Sequence, residues 1–187
     1  MPPAVPVGIR ILPTDALSSA EASEIRALLA AAFGTDPEER FTDDDWEHAI
    51  GGVHVLAHVS GRVVAHASVV ERELRVAGRP LRTGYVEAVA VEPARQGQGI
   101  GTLVMGSVNR IVVDGGFAIG ALGTGSQHFY ERLGWETWRG PSSVRTTDGE
   151  QPTPADDGYI MVLRTPSSPP LELDAPISCD WRVGDPW

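Results

Sequence analysis

The sequence predicts an α/β (α+β) chain: a central mixed, mostly antiparallel sheet with helices on both faces. Three observations predict it. Short apolar runs rich in Val, Ile and Ala, bounded by Gly, Pro or Ser, recur along the chain and read as strands. Between them lie capped segments with apolar residues three and four apart, which read as helices. The 187 residues, 42% hydrophobic and 21% charged, are those of one ordinary globular domain. The expected organisation is therefore a single domain over residues 1–187, with 165–187 a docked C-terminal tail.

The elements follow in order. "IRIL" after Gly8 reads as a first strand. In "SSAEASEIRALLAAAFG", Ser18 or Ser19 caps a helix, Ile25, Leu28, Leu29 and Ala32 line its inner face, and Gly34 closes it. "FTDDDWEHAIGG" repeats the pattern briefly, with Thr42 as cap and Gly51 and Gly52 as the stop. Two strand runs, joined at Ser60-Gly61, make an antiparallel hairpin over 53–76. "AGRP" turns the chain, and "TGYVEAVAVEP" is a strand ended by Pro93. A glycine loop and a helix to about Asp114 come next. "FAIGALG" reads as a strand, "SQHFYERLG" as a helix stopped by Gly134, and "WETWRG" as a strand. A Pro-, Thr- and Asp-rich loop leads to "DGYIMVLR", the expected last strand. The tail is too proline-rich for a helix, yet Trp181 and Trp187 argue that it docks.

Charge and cysteine narrow the function. All 15 basic residues are arginine, against 25 acids, for a formal net charge of −10. Such a surface repels nucleic-acid phosphates and draws cationic ligands, although acidity also serves plain solubility. Without lysine, Schiff-base and P-loop chemistry are excluded. A single cysteine, Cys179, allows no internal disulfide and no zinc cluster. No secretory signal or membrane span is legible, so the expectation is a cytoplasmic protein with no membrane or nucleic-acid partner. His54 and His58 have a spacing that suits a metal on a helix, but they fall on a strand, so no metal is expected.

"ARQGQGIG" places Gly97, Gly99 and Gly101 between a strand and a helix. It is not a dinucleotide fingerprint, which needs glycine where Thr102 stands, nor a Walker loop. Glycines before a helix start let anionic oxygens approach unpaired backbone N–H groups. The spacing Gln96, Gly99, Gly101 is Q-x-x-G-x-G, and after "VEAVAV" it resembles the coenzyme A loop of the GCN5-related N-acetyltransferases (GNAT). "FTDDDWEHAIGGVHVLAH", "LRTGYVEAVAV", "YERLGWETWRGP" and "CDWRVGDPW" together resemble the aminoglycoside 2'-N-acetyltransferases of that superfamily, over nearly the whole chain. The resemblance implies a GNAT fold, acetyl-CoA as co-substrate, antibiotic resistance and a homodimer. It implies that backbone groups of Gln96, Gly97, Gln98, Gly99, Ile100 and Gly101 hold the pyrophosphate. Val89 and Val91 would pair their backbone with the pantetheine arm, although both also suit sheet core.

Acyl transfer to an amine needs a base for the amine, donors for the carbonyl oxygen and an acid for the thiolate. Strand alternation places Tyr85, Glu87, Val89 and Val91 on one face, with Glu87 about 7 and 14 Å from the two valines. A carboxylate amid "YV" and "AVAV" is either functional or paired, for example with Arg82. As a base it would act directly or through water, and a backbone N–H near Val89 would meet the oxyanion. The resemblance puts the acid at Tyr130, which could equally be a core aromatic beside Phe129 and Trp135. No covalent intermediate is needed, so direct attack is expected.

A polycationic acceptor calls for carboxylates. Asp43, Asp44, Asp45, Asp156, Asp157, Asp180 and Asp185 are available, though runs of Asp are often plain caps and turns. The resemblance carries acceptor contacts onto Asp45, Glu87, Asp156, Asp185 and Trp187, the last through a free carboxylate that a fused tag would spoil. Two departures bear on the acceptor. Arg40 stands where relatives have an acid, open to pairing with Glu38 or Glu39, and "ALGTGSQHFY" is shorter and richer in glycine. An acetyltransferase for another small cationic amine, or a non-catalytic binder of aminoglycoside or acetyl-CoA, are the competing readings.

Overall fold

A computed structural model describes residues 6–36 and 40–187. The chain falls into two compact units, one of residues 1–70 and 86–108, the other of 71–85 and 109–187. Both are built on β3 (Arg62–Val76) and β4 (Arg79–Val91), which are neighbours in the strand order.

In the first unit, β1 (Gly8–Pro13) pairs antiparallel with β2 (Val53–Val59), and β2 with the first half of β3 through the Ser60-Gly61 turn. Helix α1 (Ser19–Phe33) opens on a complete capping box between Ser18 and Glu21 and ends at Gly34, whose φ is 78°. Helix α2 (Asp43–Ala49) opens on a second box between Thr42 and Asp45. Such a box satisfies two of the N–H groups that a helix start leaves without partners. Ile25, Leu28 and Leu29 of α1 pack with Leu12, Leu56, Val63 and Ala90, and Trp46 and Ala88 close the edge of this cluster.

The second half of β4 carries the local feature that shapes the site. Ala88 has φ 52°, a left-handed conformation inside an otherwise extended strand. The alternation that put Tyr85, Glu87, Val89 and Val91 on one face assumes an unbroken strand. It does not carry across Ala88. After a short 3-10 turn at Pro93–Arg95 comes helix α3 (Ile100–Asp114), as the sequence predicts.

In the second unit, β5 (Ile119–Gly123) pairs parallel with β4 at Thr83, Gly84 and Tyr85. β9 (Ile160–Arg164) pairs antiparallel with β5 and with the two-residue β6 (Glu136–Thr137). The second half of β3 pairs antiparallel with β10 (Ile177–Asp180), which lies parallel to β7 (Ser142–Thr146). β7 in turn forms a hairpin with β8 (Gly149–Pro152). Parallel pairs are thus the minority, and the sheet is mixed and mostly antiparallel, as expected.

Four sequence expectations need correction here. The loop before "DGYIMVLR" contains the β7–β8 hairpin, hidden because Pro141, Pro152 and Pro154 argue against strands. That segment is not the last strand, because β10 follows it in the tail. Helix α4 (Gln127–Glu131) is half the length read from "SQHFYERLG". Only Glu136 and Thr137 of "WETWRG" are strand: the Trp138 N–H still donates to the Ile160 carbonyl at 2.8 Å, but the Arg139 and Gly140 N–H groups turn to the Leu173 carbonyl of the tail.

The tail crosses Gly140 closely. A Cβ there would lie 1.9 Å from the Ala175 carbonyl oxygen, a backbone atom that cannot swing aside. Gly140→Ala is expected to destabilise the protein by about 2 kcal/mol or more. Urea unfolding of the variant beside wild type checks this.

Candidate active site

β4 runs through Glu87, Val89 and Val91 into the glycine loop. Glu87 is half-buried, and its main-chain carbonyl accepts from Ser68 Oγ at 3.4 Å. Arg82, weighed above as its partner, pairs with Glu71 at 2.8 Å and lies over the Phe117 ring. Beyond the 3-10 turn, Gly97 and Gly99 have φ of 74° and 80°, and a Cβ at either would meet nothing within 4 Å. Glycine is required by backbone conformation there, and the space in front of the loop is open. The loop is pinned by its own side chains: Gln96 Nε2 donates to the Val91 carbonyl and Gln98 Nε2 to the Ala94 carbonyl, both at 3.3 Å. Their amides thus serve the loop, and the Gln96 N–H closes the 3-10 turn on the Pro93 carbonyl at 3.4 Å, so the backbone N–H groups that suit a ligand begin at Gly97. The first α3 bond, from Leu103 N–H to the Gly99 carbonyl, is 3.2 Å long. Ahead of it lie the helix-start donors that suit an anionic pyrophosphate. The donor set therefore fits coenzyme A.

Behind Ala88 stands a buried histidine pair. His66 Nδ1 lies 2.7 Å from the Ala88 carbonyl oxygen, and His66 Nε2 lies 2.9 Å from His54 Nδ1. His54 Nε2 meets Thr14 Oγ1 at 2.8 Å. Both rings are fully buried, and burial pushes His54 down to about 4 and His66 to about 3. They are neutral at ordinary pH. The sequence reading set His54 beside His58 and missed His66. The signal was present, since the Ser60-Gly61 turn brings His54 opposite Ser68, one diagonal step from His66.

Asp45 is also in the first unit. Its Oδ2 accepts from Thr42 N–H at 2.8 Å and Thr42 Oγ1 at 2.7 Å, so that oxygen caps α2. Asp43 pairs with Arg26. Arg40 N–H donates to the Asp36 carbonyl at 2.8 Å, while Glu38 and Glu39 lie outside the described residues.

The second unit holds the other expected residues. Tyr130 in α4 is buried, edge-on to Phe129 with ring centres 4.9 Å apart and to Trp135 at 6.2 Å. Burial pushes its phenol up to about 12. It is thus a core aromatic and a firmly protonated hydroxyl at once. Asp156, Asp185 and Trp187 gather. The Asp156 carboxyl is raised by burial, then by the charge of Asp185 and of Asp157, with a Thr153 hydrogen bond opposing. Trp187 N–H donates to Asp185 Oδ1 at 3.0 Å, and its indole N–H to Thr153 Oγ1 at 2.9 Å. A Cβ on Gly123 would sit 3.4 Å from the Trp187 carbonyl carbon. Asp157 spends Oδ1 on the Ser142 N–H and hydroxyl, both at 2.8 Å, and so is structural.

Arg72 holds this cluster and was missed. It donates to Asp180 Oδ1 and to the Pro186 carbonyl, and its guanidinium lies 4.6 Å from the centre of the Tyr85 ring. An arginine on the buried face of β3, in step with Val70, Leu74 and Val76, was the available signal. Among the described residues no group of His, Cys, Asp and Glu is placed to hold a metal, and no helix is long and apolar enough to cross a membrane.

A mixed sheet with a left-handed break in β4, leading straight to a glycine loop at a helix start, defines an acyl-CoA-dependent transferase. The family model for the acetyltransferase (GNAT) domain matches residues 14–138, and the chain belongs to the GNAT acetyltransferases. Within them it is 41% identical over 182 residues to an aminoglycoside 2'-N-acetyltransferase of Mycolicibacterium fortuitum, covering 95% of this chain and 91% of that one. The GNAT protein YhbS of Escherichia coli, solved in complex with CoA, shares the fold with TM-score 0.64 and 19% identity, covering 96% of this chain and 92% of that one. A GCN5-related N-acetyltransferase of Kribbella flavida matches with TM-score 0.58 and 23% identity over 72% of this chain. The match spans 34% of that longer protein, about a third of its length.

Two pH effects follow from the buried groups. Histidines held neutral in the fold, but free to protonate near 6.5 when unfolded, stabilise the protein above that value and lose this contribution as the pH falls towards about 4. Unfolding free energy from urea titrations is expected to drop by about 2 kcal/mol between about pH 6.5 and 5.5, and the His54→Gln/His66→Asn double variant to lack most of that drop. Asp156 has the opposite sign, because its raised carboxyl is disfavoured as an anion. Asp156→Asn is expected to raise the thermal midpoint at neutral pH, with the gain vanishing as the pH falls below the carboxylate range.

Proposed function

We propose that this acetyltransferase moves the acetyl group of acetyl-CoA to the 2'-amino group of aminoglycoside antibiotics. The observation that carries the reading is the 41% identity over 95% of the chain to an enzyme of that name. The paired carboxylates of Asp156 and Asp185 support it physically, since their mutual repulsion is relieved by a bound ammonium group.

The roles follow from the chemistry of the residues. Backbone groups from Gln96 to Gly101 hold the pyrophosphate, and the β4 backbone at Val89 and Val91 lies along the pantetheine arm. The amine attacks the thioester carbonyl directly. A nitrogen–carbon bond forms, the carbon–sulfur bond breaks, Glu87 takes the amine proton directly or through water, and Tyr130 gives its proton to the thiolate. With its phenol near 12 and a thiol near 8.5, the last transfer is uphill, and it is completed when the phenolate regains a proton from water after the thiol has left. A backbone N–H at Val89 meets the oxyanion. The acceptor contacts carried over by family resemblance are Glu87 and, through its remaining oxygen, Asp45 in the first unit, and Asp156, Asp185 and Trp187 in the second. On this reading the protein acts in the cytoplasm as a homodimer and confers resistance. The second reading, transfer to another small cationic amine, is favoured by Arg40, a cation in the segment that leads into α2.

Thiol release from acetyl-CoA tests the proposal. Gentamicin and tobramycin, which carry a 2'-amine, are expected to support it. Kanamycin A, with a hydroxyl at that position, is expected not to. Release with all three would move the reaction to another amine, and silence with all three would remove aminoglycosides as acceptors. Glu87→Gln is expected to lower kcat by about a hundredfold, the size of a lost general base, with KM for acetyl-CoA nearly unchanged.

A further inference from the structure

We infer that His66, backed by His54 and Thr14, is a positioning residue for acetyl transfer: it holds the Ala88 carbonyl and so aims the Val89 N–H at the reacting oxygen. The inference rests on the proposed function, which gives Val89 its role, and assigns a task to three residues which that reading leaves unused.

The donors along the chain can run in one direction only. The Ala88 carbonyl accepts, so His66 Nδ1 carries the hydrogen, at 2.7 Å. His66 Nε2 must then accept, which makes His54 Nδ1 the donor, at 2.9 Å. His54 Nε2 in turn accepts from the Thr14 hydroxyl at 2.8 Å, the nearer of that hydroxyl's two acceptors, the Gly52 carbonyl lying at 3.3 Å. Thr14 Oγ1 itself accepts from Gly51 N–H at 2.9 Å, which ties the outer end to the backbone. Each ring nitrogen has one partner and one role, so His66 cannot turn without breaking a buried hydrogen bond.

The carbonyl it holds is displaced from its regular direction. In an extended strand successive carbonyls point to opposite edges. Here the carbonyls of Glu87 and Ala88 are both bonded by side chains of β3, Ser68 at 3.4 Å and His66 at 2.7 Å. The left-handed φ of 52° at Ala88 makes this possible. The described peptide bonds are trans, and in a trans peptide the N–H points opposite to the preceding carbonyl. Fixing the Ala88 carbonyl on His66 therefore turns the Val89 N–H away from His66. A donor aimed in advance at a developing oxyanion is among the strongest contributions to acyl transfer.

Two near-isosteric variants test this by splitting kcat from KM. In His66→Asn the side-chain amide stands where Nδ1 stood and can still donate to Ala88. In His66→Gln it stands where Nε2 stood and cannot. With tobramycin as acceptor, H66N is expected to keep kcat within about threefold of wild type, and H66Q to lose about tenfold or more, with both KM values within about twofold. A purely structural role predicts the reverse order, since glutamine is closer to histidine in volume. If H66Q alone does not fold, the comparison is made in an Ala88→Gly background, where the left-handed turn costs little. H66Q matching wild type, or H66N falling as far as H66Q, would overturn the inference alone. Wild type that transfers no acetyl group overturns the proposed function, and this inference with it.

Discussion

The site depends on one residue held where alanine resists going. A non-glycine residue in the left-handed region costs of order 1–2 kcal/mol and persists only where its surroundings leave no alternative. Ala88 meets that condition twice over. Its side chain packs at the edge of the cluster formed by Leu12, Ile25 and Leu56, and its carbonyl is bonded by a buried histidine. From that break the strand proceeds to Val91, the 3-10 turn, two left-handed glycines and α3. Each step directs backbone rather than side chains at a ligand, which suits a co-substrate recognised through phosphates and an amide-bearing arm.

Under the proposed function, the acceptor is recognised by other means. The Asp156 carboxyl is raised by burial and then by the charge of Asp185, and Arg72 and Arg182 flank the Tyr85 ring in the same unit. On that proposal, the repulsion between these carboxylates is energy that a bound polycation would release. Much of the acidity behind the net charge of −10 instead caps helices, as at Asp45 and Glu21, or pairs with arginine.

Most of this was legible in the residues. Capping signals at Ser18 and Thr42, the Ser60-Gly61 hairpin and the Q-x-x-G-x-G loop are local chemistry, and local chemistry survives folding. The coenzyme loop and the cluster of Asp156, Asp185 and Trp187 were named before the structure, the latter through family resemblance. What escaped is set by contacts distant in sequence. The β7–β8 hairpin forms despite its prolines because they sit at strand ends. β10 is strand because β3 and β7 supply partners on both sides. The break at Ala88 could not be read, since alanine carries no left-handed preference. Its carbonyl is bonded by His66, 22 residues away, a contact that no local pattern announces.

Amide hydrogen exchange along β4 tests the central claim most directly. Saturating acetyl-CoA is expected to slow exchange at Val89, with Thr83, Gly84 and Tyr85, already in the ladder with β5, unchanged. Exchange at Val89 that is indifferent to acetyl-CoA, while the Gln96–Gly101 loop becomes protected, would contradict it. The coenzyme would then be held by its phosphates alone, and the break at Ala88 would have no part in the reaction.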